Sequence, residues 1–285
     1  MAVLPGCPVR TVAQQYAQAV AGLSDHRLSR RIGALHTLAM LGETSPAHRA
    51  AVLDVICALL RTPGQDAARE TAIRLLERRL HPGRAEFWPG MSVDLSGATL
   101  SDLDLSHCRI DGDLRLDGCV LLGQTRLRGI TVSGRTLVRG ARFADHAWLE
   151  RGVFAGPVWF DGTVFGGDAW FGEATFTWAS FAGAEFTGHA WFGAASFEGP
   201  VDFGHAVFRR SAGFRGAVAK APVSLAGTTF HGPARVSRRD GTWNIMAPGW
   251  QVVVDDDNPA VGRLFWVGGR DLIEKHVLTE EPTPV

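Results

Sequence analysis

The chain has 285 residues, 46% of them hydrophobic, and its 29 Lys plus Arg balance 29 Asp plus Glu. That balance argues against a basic nucleic-acid binder and against an acidic-tail protein. No apolar run approaches the roughly 18 residues needed to cross a bilayer, and the first 25 residues hold no signal-peptide core. The four cysteines (Cys7, Cys57, Cys108, Cys119) show no C-x-x-C spacing, so a cytoplasmic protein with reduced thiols is expected.

The first 88 residues read as a helical unit. Segments 11–23 and 27–41 are helical candidates. Ser45-Pro46 is expected to act as an N-cap followed by proline at the first helical position. After it, Ala50, Leu53, Val55, Ile56, Leu59 and Leu60 form one apolar face. Ala68, Ala72, Ile73, Leu75, Leu76 and Leu80 form another, stopped by Pro82-Gly83.

Residues 89–240 are governed by a repeat. From Phe143 the text runs FADHAWLERGV, FAGPVWFDGTV, FGGDAWFGEAT, and after what reads as a short insertion it resumes as FTGHAWFGAAS, FEGPVDFGHAV. Each unit holds a second large apolar residue six places in, so the period is 5+6. Extended both ways, the series runs from Leu95 to Val236 over 27 positions and takes in 14 of the 16 Phe. A second series lies two residues before each anchor. It is mostly small or β-branched, as in Val93, Cys108, Cys119, Ala147, Val158, Ala169, Ala190 and Val223.

In an extended segment residues i and i−2 share a face. Each unit is therefore a short side with two inward residues, followed by a turn. Such a side is too short for a hairpin but can stack on the next coil ~4.8 Å away, which makes a β-solenoid. Glycines after the anchors (Gly156, Gly162, Gly166, Gly172, Gly183, Gly188, Gly193) are expected to relieve the backbone demand of the turns.

The pattern closely resembles the pentapeptide repeat family, whose unit places a central Leu or Phe two residues after a small one. Segment 93–112 (VDLSGATLSDLDLSHCRIDG) looks like that motif directly, and the Phe-rich 5+6 stretch resembles a variant of it. The helical segment RLSRRIGALHTLAMLGETSPAHRAAVLDVICALLR is similar to the region preceding the repeats in many actinobacterial members. The resemblance implies a mainly β chain, a right-handed quadrilateral β-helix. Its 27 sides would make nearly seven coils, a rod of roughly 32 Å. The helical unit could then dock on the first coil and cover its open edge.

The last segment, 241–285, leaves the period and reads as a C-terminal cap. Gln251–Val254 is a candidate strand and Arg270–Leu278 a candidate short helix, with Leu264, Phe265, Trp266 and Val267 available to cover the last coil.

No phosphate loop, nucleophile elbow or metal-spaced His/Cys cluster is present. No catalytic residue, metal or cofactor is expected. His146, His189 and His205 fall in outward or turn positions and read as solvated. Cys108 and Cys119 fall in the inward series and read as packing. Asp255-Asp256-Asp257-Asn258 reads as a solvated loop rather than a cation site.

Two surface features remain. Between Gly152 and Phe208 the charges are Asp161, Asp168, Glu173, Glu185, Glu198 and Asp202, with no Lys or Arg. Family members that confer quinolone resistance are acidic rods that occupy the DNA site of type II topoisomerases. Duplex DNA would place roughly 19 charges along ~32 Å, and roughly 8 along the ~13 Å of this central stretch. The central stretch has 6, and residues 93–236 as a whole carry 14 acids and 13 bases. Mimicry by the central stretch alone stays open, whereas mimicry of a duplex over the whole rod is not supported.

The other feature is Trp148, Trp159, Trp170 and Trp191, each immediately before an anchor and so pointing outward. Counting sides in fours places Trp148, Trp170 and Trp191 on one side of three successive coils and Trp159 on the opposite side. A ladder of partly exposed indoles is expected, and Trp is enriched at binding hot spots.

The sequence thus points to a non-enzymatic protein-interaction scaffold with a protein partner, without direct contact to nucleic acid or membrane. A homodimer through the ladder remains open. Under the resemblance, the alternative is binding of gyrase, giving protection against its inhibitors. A second alternative is a small-molecule binder or an unrecognised enzyme that uses the ladder.

Overall fold

The structure is a computed structural model that describes residues 11–64, 66–239, 242–243, 250–254 and 261–266, the side chains as far as residue 236. It begins with four helices, α1 (Val12–Gly22), α2 (Leu28–Thr44), α3 (Arg49–Arg61) and α4 (Ala67–Leu80). Thr11 and Gln14 form a capping box at α1, and Asp66 accepts from the amides of Ala68 and Arg69 at α4.

The expected cap at Ser45 is not made. Pro46–His48 is a 3-10 turn, α3 starts only at Arg49, and the Ser45 hydroxyl contacts His48 Nδ1 at 2.7 Å. In this turn the His48 amide is already given to the Ser45 carbonyl at 2.9 Å, so the hydroxyl takes the ring instead. The start of α3 also differs from the expected face. Ala50 is exposed, whereas Val52, Leu53, Ile56, Cys57 and Leu60 are buried.

From Val93 the chain winds as a parallel β-solenoid of four faces. Face 1 pairs Val93, Leu114, Thr136, Val158, Ala179, Val201 and Val223 in register. Face 2 pairs Leu100, Leu121, Phe143, Phe165, Phe186, Phe208 and Phe230. Face 3 opens with a bridge between Asp104 and Arg126 and continues through Thr125, Ala147, Ala169, Ala190, Ala212 and Ala234. Face 4 pairs Ile110, Val132, Phe154, Phe176, Phe197 and Ala219. These amount to six complete turns and three further sides.

Every member of the inward small series is buried, and so are the anchors except Ala219 and Phe230, which are half-buried. The core is a set of ring columns, one per face. Phe143, Phe165, Phe186, Phe208 and Phe230 stack at 4.6–4.9 Å within 13° of parallel. Phe160, Phe181 and Phe203 stack at 4.9 Å, and Phe171, Phe192 and Phe214 at 4.7 and 5.0 Å. Neighbouring columns meet edge to face, as Phe171 does with Phe181 at 88°.

The interruption in the repeat is a missing residue rather than an insertion. Phe154 lies opposite Phe176, but Pro157 lies opposite Trp178, so the lower coil turns this corner with one residue fewer. The strands Val153–Trp159 and Thr175–Ser180 absorb the difference by running unbroken from face 4 into face 1.

The corners divide the glycines by cause. After face 1 the third turn residue is left-handed, as at Gly162 (φ 62°) with Thr163 N donating to the Phe160 carbonyl at 3.0 Å, a type II arrangement. Gly183 repeats it. Gly156, Gly166 and Gly188 do not adopt positive φ. A Cβ on Gly156 would lie 2.1 Å from the Gly134 carbonyl oxygen one coil away, so close approach of backbones, not turn conformation, excludes a side chain there. Gly172 and Gly193 meet neither constraint.

The helical unit covers the first coil, and its buried residues form one continuous core with the rod. Arg61 donates to the Asp94 carbonyl at 2.9 Å and pairs with its carboxylate at 3.1 Å. Trp88 lies against α2, where a Cβ on Gly42 would fall 2.3 Å from the indole. At the other end, the strand Val261–Trp266 adds antiparallel to Ala234–Arg239, and Trp250–Val254 adds to it in turn. The candidate strand at 251–254 is therefore present. The candidate helix Arg270–Leu278, the loop at Asp255-Asp256-Asp257-Asn258, Val267 and Cys7 lie outside the described residues.

Candidate functional site

Face 3 carries two outward columns over three coils. Trp148, Trp170 and Trp191 are register partners. Each is half-buried. Trp148 and Trp170 stack at 4.0 Å and 10°. Trp191 turns the other way. Its Cε3 lies 2.6 Å from where a Cβ on Gly213 would stand, so it fills the space left by the missing side chain in the next coil. His189 lies 5.9 Å from it at 24°. The ladder is thus a stacked pair and a third indole folded down over Gly213. Stacked in this way, the pair presents ring edges, and no planar group fits between its two rings. Arg128 covers the other end, its guanidinium 5.4 Å from the Trp148 ring centroid and 2.9 Å from Glu150.

The second column precedes each small inward residue. Asp102 accepts the Gln124 amide at 3.1 Å, His146 Nδ1 accepts the Asp168 amide at 3.0 Å, and Asp168 accepts the His189 amide at 2.7 Å. His189 Nδ1 meets the Ser211 hydroxyl at 2.5 Å. His146 also sits edge-on to Trp170 at 5.1 Å. This corrects the expectation that His146 and His189 are merely solvated. Each bridges successive coils through Nδ1, His146 to the Asp168 amide and His189 to the Ser211 hydroxyl. His205 is exposed, in a left-handed turn, as expected.

Trp159 lies on face 1, opposite the ladder, with Arg139 over its ring at 4.8 Å and Trp178 5.3 Å away. Trp178 was not legible as part of a site. It sits at the corner with the missing residue, and only the ten-residue spacing from Phe176 to Phe186 marks that corner.

The six acidic candidates do not form a stripe. Asp161 and Asp202 lie on or beside face 1, Glu185 on face 2, Asp168 on face 3, Glu173 at the corner after it and Glu198 beside face 4. Four of them pair with cations from adjacent coils. Glu173 meets Arg151 at 3.1 Å, Glu185 meets Arg209 at 2.6 Å, Glu198 meets Lys220 at 2.7 Å and Asp161 meets Arg139 at 3.9 Å. The hydrogen bond from Lys220 holds the Glu198 carboxyl below its usual range. The positive residues that bound the acidic stretch in sequence thus pair with four of its six acids in space.

Cys57, Cys108 and Cys119 are free and buried. Burial pushes their thiols up to about 11, about 12 and about 12. Cys119 Sγ donates to the Leu95 carbonyl at 2.9 Å. Cys108 and Cys119 are packing residues, as their inward positions implied, and Cys57 packs in the same way in α3. Among the described residues no group of three His, Cys, Asp or Glu is placed to hold a metal ion, and no helix is long and apolar enough to cross a membrane.

The family model described as pentapeptide repeats (9 copies) matches residues 153–196 and 192–238. Neither a curated protein nor a solved structure matches the chain.

Proposed function

We propose that the chain, whose residues 153–238 match pentapeptide repeats, is a non-enzymatic scaffold that docks a protein partner on face 3, over Trp148, Trp170 and Trp191. The observation that carries the reading is the placing of three half-buried indoles in register on one flat face. Half-buried Trp held by its neighbours is costly in neither entropy nor strain to dock against, which is why such residues dominate interface energetics. The opposite side offers Trp159 and Trp178 at a corner, with Arg139 over one ring.

The test is a comparison of cross-linked partners recovered from the source cells. Wild type is set against Trp148→Ser/Trp170→Ser/Trp191→Ser and against Trp159→Ser/Trp178→Ser. Partners lost only with the triple variant support face 3. Identical recoveries from all three proteins would discard it. Solution mass of the same variants decides whether the partner is a second copy.

The alternative drawn from the resemblance, occupation of the duplex site of a type II topoisomerase, draws no support from the charges. The central acids lie on several faces and four of the six are ion-paired. A gyrase supercoiling assay with and without a quinolone decides the matter, since no effect at micromolar protein removes the idea.

A further inference from the structure

We propose that His146 is a proton-operated latch between the third and fourth coils that sets the position of the Trp148–Trp170 pair. The proposal does not depend on what docks on face 3. In this column the first position, Asp102, and the position after His146, Asp168, use carboxylate oxygens to accept the amide of the coil below. An ionised carboxylate is an acceptor only. His146 does the same task with Nδ1, which takes the Asp168 amide at 3.0 Å. The donor there is a backbone N–H, so Nδ1 must carry a lone pair and the ring's proton must sit on Nε2. Gly167 makes room for this approach, since a Cβ on it would fall 2.9 Å from Nδ1.

A second proton changes the balance of partners. It turns Nδ1 into a donor facing a donor, and that contact is lost. The other side of the ring then gains, because Nε2 lies 3.7 Å from the Asp145 carboxylate. Protonation therefore exchanges an inter-coil bond for a local ion pair, and the ring swings toward Asp145. Two further groups flank the ring in this column, and the charged side chains on the adjacent positions, Arg126 and Arg128, are held by Gln124 and Glu150. Gln124 above is neutral and accepts from Arg126, and the Asp168 carboxylate below is turned to the His189 amide. What the ring leaves behind is Trp170, against whose face its edge is packed at 5.1 Å, and with it the stacked partner Trp148.

The experiment uses the full chain between about pH 8 and about pH 5.5, where an imidazole takes up its second proton while ordinary carboxylates stay ionised. At the upper end, nitrogen NMR of labelled histidine is expected to show His146 protonated on Nε2 alone. On acidification the protection factor of the Asp168 amide should fall several-fold and the tryptophan emission should change with the same midpoint. His146→Asn keeps an acceptor at every pH, so its Asp168 amide should stay protected and its emission flat. His146→Ala should leave that amide poorly protected at both ends of the range. The proposal is overturned if His146 carries its proton on Nδ1 at pH 8. Equal pH profiles for wild type and His146→Asn, or a protected Asp168 amide in His146→Ala, would overturn it equally. Near-ultraviolet circular dichroism of each variant shows that the rod is intact.

Discussion

Arg69, in α4, donates to the carbonyl of Thr99, in the first coil, at 2.8 Å. The same guanidinium donates to the carbonyls of Leu59 at 2.9 Å and Leu60 at 2.7 Å, and to Thr62, so one buried cation closes the C-terminus of α3 and fastens it to the rod. A helix end leaves carbonyls without intrahelical partners, and a positive group is favoured there. Burial lowers the basicity of this guanidinium, but an arginine is not deprotonated inside a protein, so it stays charged.

Removing Arg69 should therefore loosen the cap. Arg69→Met leaves several buried carbonyls without a donor, and a loss of about 2–4 kcal/mol is expected in urea unfolding. Arg61→Ala, which breaks a half-exposed pair with Asp94, should cost less than about 1 kcal/mol. Equal effects from the two substitutions would show that Arg69 is not the fastener.

The ring columns make a graded prediction. Phe186 is wholly buried, with Phe165 at 4.8 Å above it and Phe208 at 4.6 Å below. Phe186→Ala should cost about 3–5 kcal/mol. Phe186→Leu should cost much less, because the same column holds Leu100 and Leu121 in its first two coils. Thermal melts of both variants provide the measurement, and a Leu variant as damaged as the Ala variant would contradict this volume-filling account and point to ring stacking instead.

Backbone strain can be separated from packing at the corners. Gly162 has φ 62° and open space where a Cβ would point, so Gly162→Ala isolates the conformational cost, about 1 kcal/mol. Ala194 occupies the left-handed region at φ 55°, so Ala194→Gly should be neutral or stabilising. If Gly162→Ala leaves the melting temperature unchanged, the left-handed turn is not what holds that glycine.

Acid should weaken the rod through its carboxylates. The Arg135 side chain holds Asp113 below its usual range, and the Gly90 amide does the same for Asp111. A lowered folded value means that the stabilisation is fully present above the ordinary carboxylate value of about 3.9. It is lost as pH falls through the folded values. Asp113→Asn should therefore flatten the stability profile below about pH 4 and leave it unchanged in slope near neutrality.

The thiols provide an opposite window. Burial raises Cys108 and Cys119 to about 12 from an ordinary value of 9.0, so the stabilisation is present below 9.0 and lost as pH rises toward about 12. Both should resist thiol reagents at pH 8 until the chain unfolds, and labelling of the native protein at these two sites would contradict their burial.

Much of this architecture is written in one dimension. A side of five or six residues contacts only its neighbours above and below, so the spacing of Phe and of the small residues two places earlier fixes which side chains face inward and how many sides there are. The register of Trp148, Trp170 and Trp191 follows from the same count. What the count cannot contain is any quantity set between coils. Gly156 is glycine because a carbonyl from the coil above stands where its side chain would go. His146 reads as a surface residue until the amide of Asp168 is placed on its ring. The acidic stretch looks uncompensated because its cations lie about one coil away in the chain, and winding brings them to within 4 Å. Local periodicity determined the winding. Charge balance, ring orientation and the fastening of the helical cap arise only when successive coils come into contact, because electrostatic and hydrogen-bond partners are chosen by distance in space.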